Sequence, residues 1–143
     1  MKQIFQDLKT GETRVEEVLC AQAVPGNLIV RTEKSLVSVG TERMLVDFGK
    51  ANLVEKAVQQ PDKVRQAIEK VRTDGLAPTV EAIRSKLDQP MPLGYSNVGV
   101  VVDSGGADFA VGERVVSNGQ HAEVVRVPKS LCARMPDGVD EES

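Results

Sequence analysis

Along the first third of the chain, apolar and polar residues alternate in short runs broken by turn-forming residues. Gln3 to Leu8, Arg14 to Cys20 and Leu28 to Leu36 read as three strands, separated by Lys9-Thr10-Gly11 and by Val24-Pro25-Gly26-Asn27. In the third run Ile29, Arg31, Glu33 and Ser35 fall on one side, and Leu28, Val30, Thr32, Lys34 and Leu36 on the other. Neither side is wholly apolar, which suits a small barrel better than a strand buried on both faces.

From about Glu42 to Gln89 the period lengthens. Val64, Ala67, Ile68 and Val71 recur at helical spacing in PDKVRQAIEKVRTDG; Pro61 and Asp62 suit a first helical turn, and Gly75 a helix stop. A second helix is expected from Pro78, with Val80, Ile83 and Leu87 on one stripe, ending before Gln89-Pro90-Met91-Pro92. Leu53, Val54, Ala57 and Val58 point to a shorter helix before Pro61. Strands then return at Asn97 to Asp103, Gly112 to Val116 and His121 to Val127, with a short segment at Leu131 to Met135. Acidic residues after Gly138 read as the first turn of another helix. The pattern predicts a mainly β, α+β fold, with two or three helices inserted at about residues 43–90.

Composition narrows the class. With 143 residues, 41% hydrophobic and 27% charged, the chain fits one soluble domain; aromatics at 3% and no Trp leave aliphatic side chains to fill its core. A net charge of -3 and a pI near 5.3 argue against nucleic acid as a partner, and the mixed charges of the helical segment read as a solvated face. No run is long and apolar enough for a membrane helix, and MKQIFQDLKTGETR lacks the apolar centre of a signal peptide, so a cytoplasmic protein without membrane contact is expected. Cys20 and Cys132 stand apart from any ligand-spaced partner and read as small buried hydrophobes in a reducing compartment.

The segments SLVSVGTE (35–42), LGYSNVGVVVDSGG (93–106) and FAVGERVVSNGQHAEVVRVP (109–128) occur in the order seen in another group of proteins. They resemble the amino-terminal domain of the medium-chain dehydrogenase/reductase family, a Greek-key β-barrel like that of the GroES co-chaperonin. The resemblance covers Met1 to Glu42 and Pro92 to Asp137, leaving the helical insert outside it. Gly99 and Gly112 also have a physical reason, since glycine in or beside strands marks bulges, sharp turns or close backbone approach.

In zinc-bearing members, by this resemblance, a Cys-Gly-Ser/Thr-Asp motif falls on Val39-Gly40-Thr41-Glu42 and a Gly-His-Glu motif on Gly94-Tyr95-Ser96. The thiolate, imidazole and carboxylate positions thus carry Val39, Tyr95 and Ser96, which cannot complete a zinc site, so no metal is expected. The resemblance implies a zinc-independent oxidoreductase using NAD or NADP, in which Thr41 and Tyr95 are the candidate catalytic hydroxyls and Gly40 and Thr41 the candidate cofactor contacts. Thr41 reads equally as a turn residue bonded to local backbone, Tyr95 as a barrel residue with its hydroxyl at the surface, and Gly40 as a plain turn. His121, the one histidine, reads as a structural or surface residue ahead of a proton shuttle.

The Gly-x-Gly-x-x-Gly dinucleotide fingerprint is absent from the sequence. In the family the Rossmann domain follows this one, so the expected partners are that carboxy-terminal domain in a longer protein and a small-molecule substrate; homo-oligomerisation is left open. The expected function is the substrate domain of an alcohol dehydrogenase-like oxidoreductase, inert without its cofactor domain. The competing reading is a non-catalytic barrel acting as a protein-interaction module through its helices. A co-chaperonin fits less well, because that family is shorter and works through a mobile loop.

Overall fold

The computed structural model describes residues 1–136 with Gly138 and Val139, and their side chains except those of Leu53 and Leu87. Asp137, at the end of the family resemblance, and the acidic residues 140–142 expected to open a helix lie outside the described residues. In chain order the elements are β1 (Lys2–Gln6), β2 (Thr13–Glu17), β3 (Asn27–Ser35), α1 (Val39–Lys50), α2 (Leu53–Gln59), α3 (Pro61–Asp74), α4 (Leu76–Leu87), β4 (Met91–Pro92), β5 (Asn97–Asp103), β6 (Arg114–Ser117), β7 (Val124–Pro128) and β8 (Cys132–Arg134). The chain divides into two units, Met1–Phe5 with Val15–Glu42 and Pro92–Ser143, and Gln6–Arg14 with Arg43–Met91.

The first unit is built on a curled antiparallel sheet of order β7-β3-β5-β6-β8. β3 lies between β7 and β5, and in its first half Leu28, Ile29 and Val30 are all buried, so side chains on both faces are covered there. Imperfect alternation in that run thus marks a strand whose first half is enclosed and whose second half, from Arg31, reaches solvent. Leu28, Val30, Val101, Val115, Ala122, Val125 and Val127 form the core, with Ala107, Phe109 and Cys132 packed against it. Burying such aliphatic side chains is worth about 1.5–3 kcal/mol each, enough to hold a sheet with so few aromatics. Gly99 sits where β5 and β3 shift register, and a Cβ there would lie 2.3 Å from the Arg31 carbonyl oxygen, so the close approach expected of this glycine is present. A separate three-stranded sheet has the order β2-β1-β4.

The second unit is helical. Asn52 accepts the Glu55 N–H while the Glu55 carboxylate accepts the Asn52 N–H, a reciprocal cap that starts α2. Pro61 opens α3 and Gly75 ends it, as the sequence predicts. The described residues contain four α-helices where the periodicity predicts two or three; the additional one is α1. Its β-branched Val39 and Val46 and its glycines Gly40 and Gly49 depress helix propensity and hide its period. The stripe on α3 is helical in spacing yet unburied, with Val64 and Ile68 exposed. No described helix is long and apolar enough to cross a membrane.

Two carboxylates tie turns together. Glu113 accepts the Ala110 N–H and the Arg134 guanidinium, and Asp7 accepts the Thr10 and Lys9 N–H groups. Backbone donors foremost hold both carboxyls below their usual range, with Arg134 and Arg14 adding to the effect. A folded-state pKa below the unfolded one contributes stability that is present at neutral pH and is lost as pH falls through the folded value. Glu113→Gln and Asp7→Asn should therefore each lower the urea midpoint at neutral pH and flatten its decline below about pH 4. Equal acid slopes in wild type and both variants would show that these turns contribute nothing.

Candidate active site

The site lies within the first unit, where the end of β3, the first turn of α1, the loop before β5 and the loop before β7 meet. β1 organises it from behind: Ile4 N–H donates to the His121 carbonyl at 2.9 Å, and the Ile4 carbonyl accepts the Leu93 N–H at 3.0 Å. His121 N–H in turn donates to the Leu93 carbonyl at 2.8 Å. The backbone of 93–95 therefore runs against that of His121. Gly94 makes this possible, since its φ is +91° and a Cβ there would lie 2.5 Å from the His121 nitrogen.

The loop carrying His121 is held by a buried polar network. Asn97, at 1% exposure, donates to Thr32 Oγ1 at 3.0 Å and accepts the Ser117 hydroxyl, while Ser117 Oγ accepts the Gly119 N–H at 3.1 Å. Among the described residues, no buried side-chain nitrogen or oxygen lacks a hydrogen-bond partner. A fully bonded polar cluster of this kind fixes loop geometry more tightly than apolar packing does.

His121 is 6% exposed and lies short of the strand that the sequence pattern starts with it, since β7 begins at Val124. Its Nε2 lies 3.1 Å from each carboxylate oxygen of Glu42, itself 7% exposed, and its Nδ1 lies 2.9 Å from Ser35 Oγ. With the Glu42 carboxylate accepting the Nε2 proton, the ring's other nitrogen is left to the serine hydroxyl. One Glu42 oxygen also accepts the Ser38 backbone N–H at 3.2 Å. His121 is therefore buried and not at the surface.

Above this pair is a cluster of hydroxyls. Ser38 Oγ donates to Thr41 Oγ1 at 3.5 Å, near the Tyr95 phenol. Ser38 first, then Thr41, holds the Tyr95 hydroxyl below the usual phenol pKa of 10.0, while the nearby Glu42 charge works in the opposite direction. Tyr95 is 44% exposed, so the cluster is open to solvent and to a ligand. Hydroxyls that stabilise a phenolate also support a phenol that gives up its proton.

Thr41, one of the two candidate catalytic residues, lies near enough to the other, Tyr95, to lower the pKa of its phenol, as Ser38 does. Thr41 sits in a helix rather than a turn. Gly40 is also in the first turn of α1, has no positive φ, and a Cβ there would meet nothing within 4 Å. Open surface therefore explains its position no better than a ligand does. Sequence reasoning misses Ser38, Glu42 and the buried state of His121. The readable signal is the spacing of Ser38 and Glu42 across one helical turn, hidden because the periodicity marks no helix before Leu53 whereas α1 starts at Val39.

The residues at the three family zinc-ligand positions do not fit a metal. Val39 is a hydrocarbon at 74% exposure, Tyr95 offers a phenol, and Ser96 offers a neutral hydroxyl. Among the described residues no three His, Cys, Asp or Glu side chains gather at metal-binding distance. Cys132 is half-buried, with its thiol pKa pushed up by burial, whereas Cys20 is exposed, contrary to its expected place in the core.

No protein-family profile and no curated protein sequence matches the chain. Solved structures do. The fold is similar to that of the quinone oxidoreductase from Thermus thermophilus, with a TM-score of 0.57 and 18% identity over 99% of this chain and 35% of that one. Escherichia coli quinone oxidoreductase, solved in complex with NADPH, gives a TM-score of 0.59 and 15% identity over 99% of this chain and 35% of that one. An alcohol dehydrogenase from Thermus sp. ATN1 gives 0.62 and 16% over 99% and 42%. At these identities the likeness establishes a shared fold alone, that of a portion of these quinone oxidoreductases and of this alcohol dehydrogenase. The chain spans only about a third to two fifths of the length of these structures.

Proposed function

We propose that this chain is the GroES-like substrate domain of a zinc-independent, NAD- or NADP-dependent oxidoreductase of the medium-chain dehydrogenase/reductase superfamily, acting in the cytoplasm. The observation that carries this reading is the Ser38–Thr41–Tyr95 hydroxyl cluster, set on a fold shared with NADPH-complexed quinone oxidoreductases. The fraction of those enzymes that the chain spans supports a second domain, of Rossmann type, in the intact protein.

In this reading a nicotinamide cofactor would supply the hydride chemistry, with Gly40 and Thr41 the residues of this chain that would lie against it. Gly40 leaves room for an edge of the cofactor, and Thr41 lies beside it at the start of α1. Tyr95 and Thr41 bind the substrate oxygen, and the Tyr95 phenol supplies or removes its proton. A donor pair of this kind stabilises developing negative charge without a metal, provided its members are fixed in advance. The substrate is a small carbonyl or quinone, or the corresponding alcohol.

The test is turnover by the full-length protein, followed as loss of reduced-nicotinamide absorbance with quinone and carbonyl acceptors. Turnover that survives a strong chelator is the expected result. Activity that the chelator abolishes and zinc restores would contradict the reading.

A further inference from the structure

Three polar side chains of the first unit have no part in the chemistry just described: Ser35, His121 and Glu42. They form one continuous run of hydrogen bonds. Ser35 Oγ lies 2.9 Å from His121 Nδ1, and His121 Nε2 lies 3.1 Å from each Glu42 carboxylate oxygen. The imidazole and the acid are buried, at 6% and 7% exposure, whereas the serine at the end of β3 is exposed. A buried acid and imidazole seldom add stability over apolar replacements, and a pair that only clamped the fold would not need to end on an exposed hydroxyl. The bonding also fixes the roles. Glu42 accepts the Nε2 proton, so Nδ1 carries the lone pair and faces the Ser35 hydroxyl. This is the order nucleophile, base, acid, with the two ring nitrogens exchanged relative to the commoner arrangement. Each member is anchored through its backbone: Ser35 pairs with Asn97 in the sheet, His121 N–H donates to the Leu93 carbonyl at 2.8 Å, and Glu42 N–H to the Ser38 carbonyl at 2.9 Å.

We propose that Ser35 is a nucleophile activated by His121 and Glu42, and that it takes acyl groups from small carboxylic esters. This activity goes beyond the oxidoreductase reading and does not rest on it. In the first step Ser35 Oγ bonds to the ester carbonyl carbon, the carbonyl π pair moves onto its oxygen, and the serine proton passes to His121 Nδ1. The imidazolium is held by the Glu42 carboxylate. The adduct collapses by breaking the bond to the alkoxide, which takes the Nδ1 proton and leaves as the alcohol. Water, deprotonated by His121, then attacks the acyl group and frees the acid and Ser35. The N–H groups of the first turn of α1, which opens at Val39, have no acceptor within the helix and are the candidate donors to the oxyanion. Leu36 and Val37, next to Ser35 in the chain and 69% and 60% exposed, offer apolar surface to an acyl chain.

The test is covalent labelling of the intact protein with an alkyl fluorophosphonate, from which an activated serine oxygen displaces fluoride at phosphorus. Mass spectrometry of the tryptic peptide 35–43 locates the adduct, and its fragment ions separate Ser35 from Ser38. The expected result is an adduct on Ser35, formed at least roughly 100-fold more slowly in Glu42→Gln and His121→Gln. Ser35→Ala should form none at this position. Circular dichroism confirms that each variant is folded. If the histidine or glutamate variant does not fold, wild type alone decides, because urea-unfolded protein should not label when activation depends on the assembled contacts. No adduct on Ser35, an adduct that forms equally well after unfolding, or unchanged rates in the folded variants would overturn the proposal and reduce the three side chains to a structural clamp. p-Nitrophenyl butyrate should be cleaved with the same order of rates; labelling without ester cleavage would overturn the assigned substrate. Neither measurement involves nicotinamide turnover, so this proposal and the oxidoreductase reading fail separately.

Discussion

Gly94→Ala is expected to destabilise the first unit by on the order of 3 kcal/mol and to disrupt the hydroxyl site with it. Two costs combine. Alanine meets a steric penalty at a φ of +91°, and its Cβ would lie 2.5 Å from the His121 backbone nitrogen and 2.7 Å from the His121 ring. Neither neighbour can give way cheaply, because the nitrogen donates to Leu93 and the ring is bonded to Glu42 and Ser35. Chemical denaturation of the variant tests this, with Gly106→Ala as a control: that glycine also has a positive φ, but a Cβ there meets nothing within 4 Å. The control should cost only the conformational part, about 1 kcal/mol. Equal losses for the two variants would show that the crowding at His121 is relieved without strain.

Tyr95→Phe in the full-length enzyme is expected to lower turnover by roughly 100-fold, within the range contributed by a positioned general acid. The side chain is 44% exposed, so the melting temperature should barely change. Thr41→Val should also lower turnover. Wild-type turnover in Tyr95→Phe would remove the phenol from the mechanism and return Tyr95 to the surface role that its exposure also fits.

How much of this is legible in the sequence depends on the range of the signal. The strand Asn97–Asp103 can be read to the residue, because its valines are bounded by turn residues at both ends and nothing distant competes with them. α3 is equally plain from the spacing of Val64, Ala67, Ile68 and Val71, although the burial that such a stripe usually implies is missing. Its period is a local property, whereas what covers it is not. α1 is obscured because Val39 and Gly40 at its start look like the end of a strand and a turn. With it goes the register that places Ser38 and Glu42 one turn apart. His121 shows the limit most clearly: its partners, Glu42 and Ser35, are 79 and 86 residues away, and no local pattern carries a contact of that span. The family resemblance directs attention to Thr41 and Tyr95 by motif position, but only the folded chain shows the Ser38 hydroxyl bonded to Thr41.

The claim on which the rest depends is that this chain supplies the substrate side of a hydride-transfer site while another domain holds the nucleotide. Calorimetric titration of NADPH and NADH into the 143-residue chain and into the full-length protein, under identical conditions, tests it most directly. The account requires millimolar or weaker affinity for the chain alone, and at least roughly 100-fold tighter binding, more than about 2.7 kcal/mol, for the full-length protein. Micromolar binding by the isolated chain would contradict it, as would a full-length protein that binds neither nucleotide.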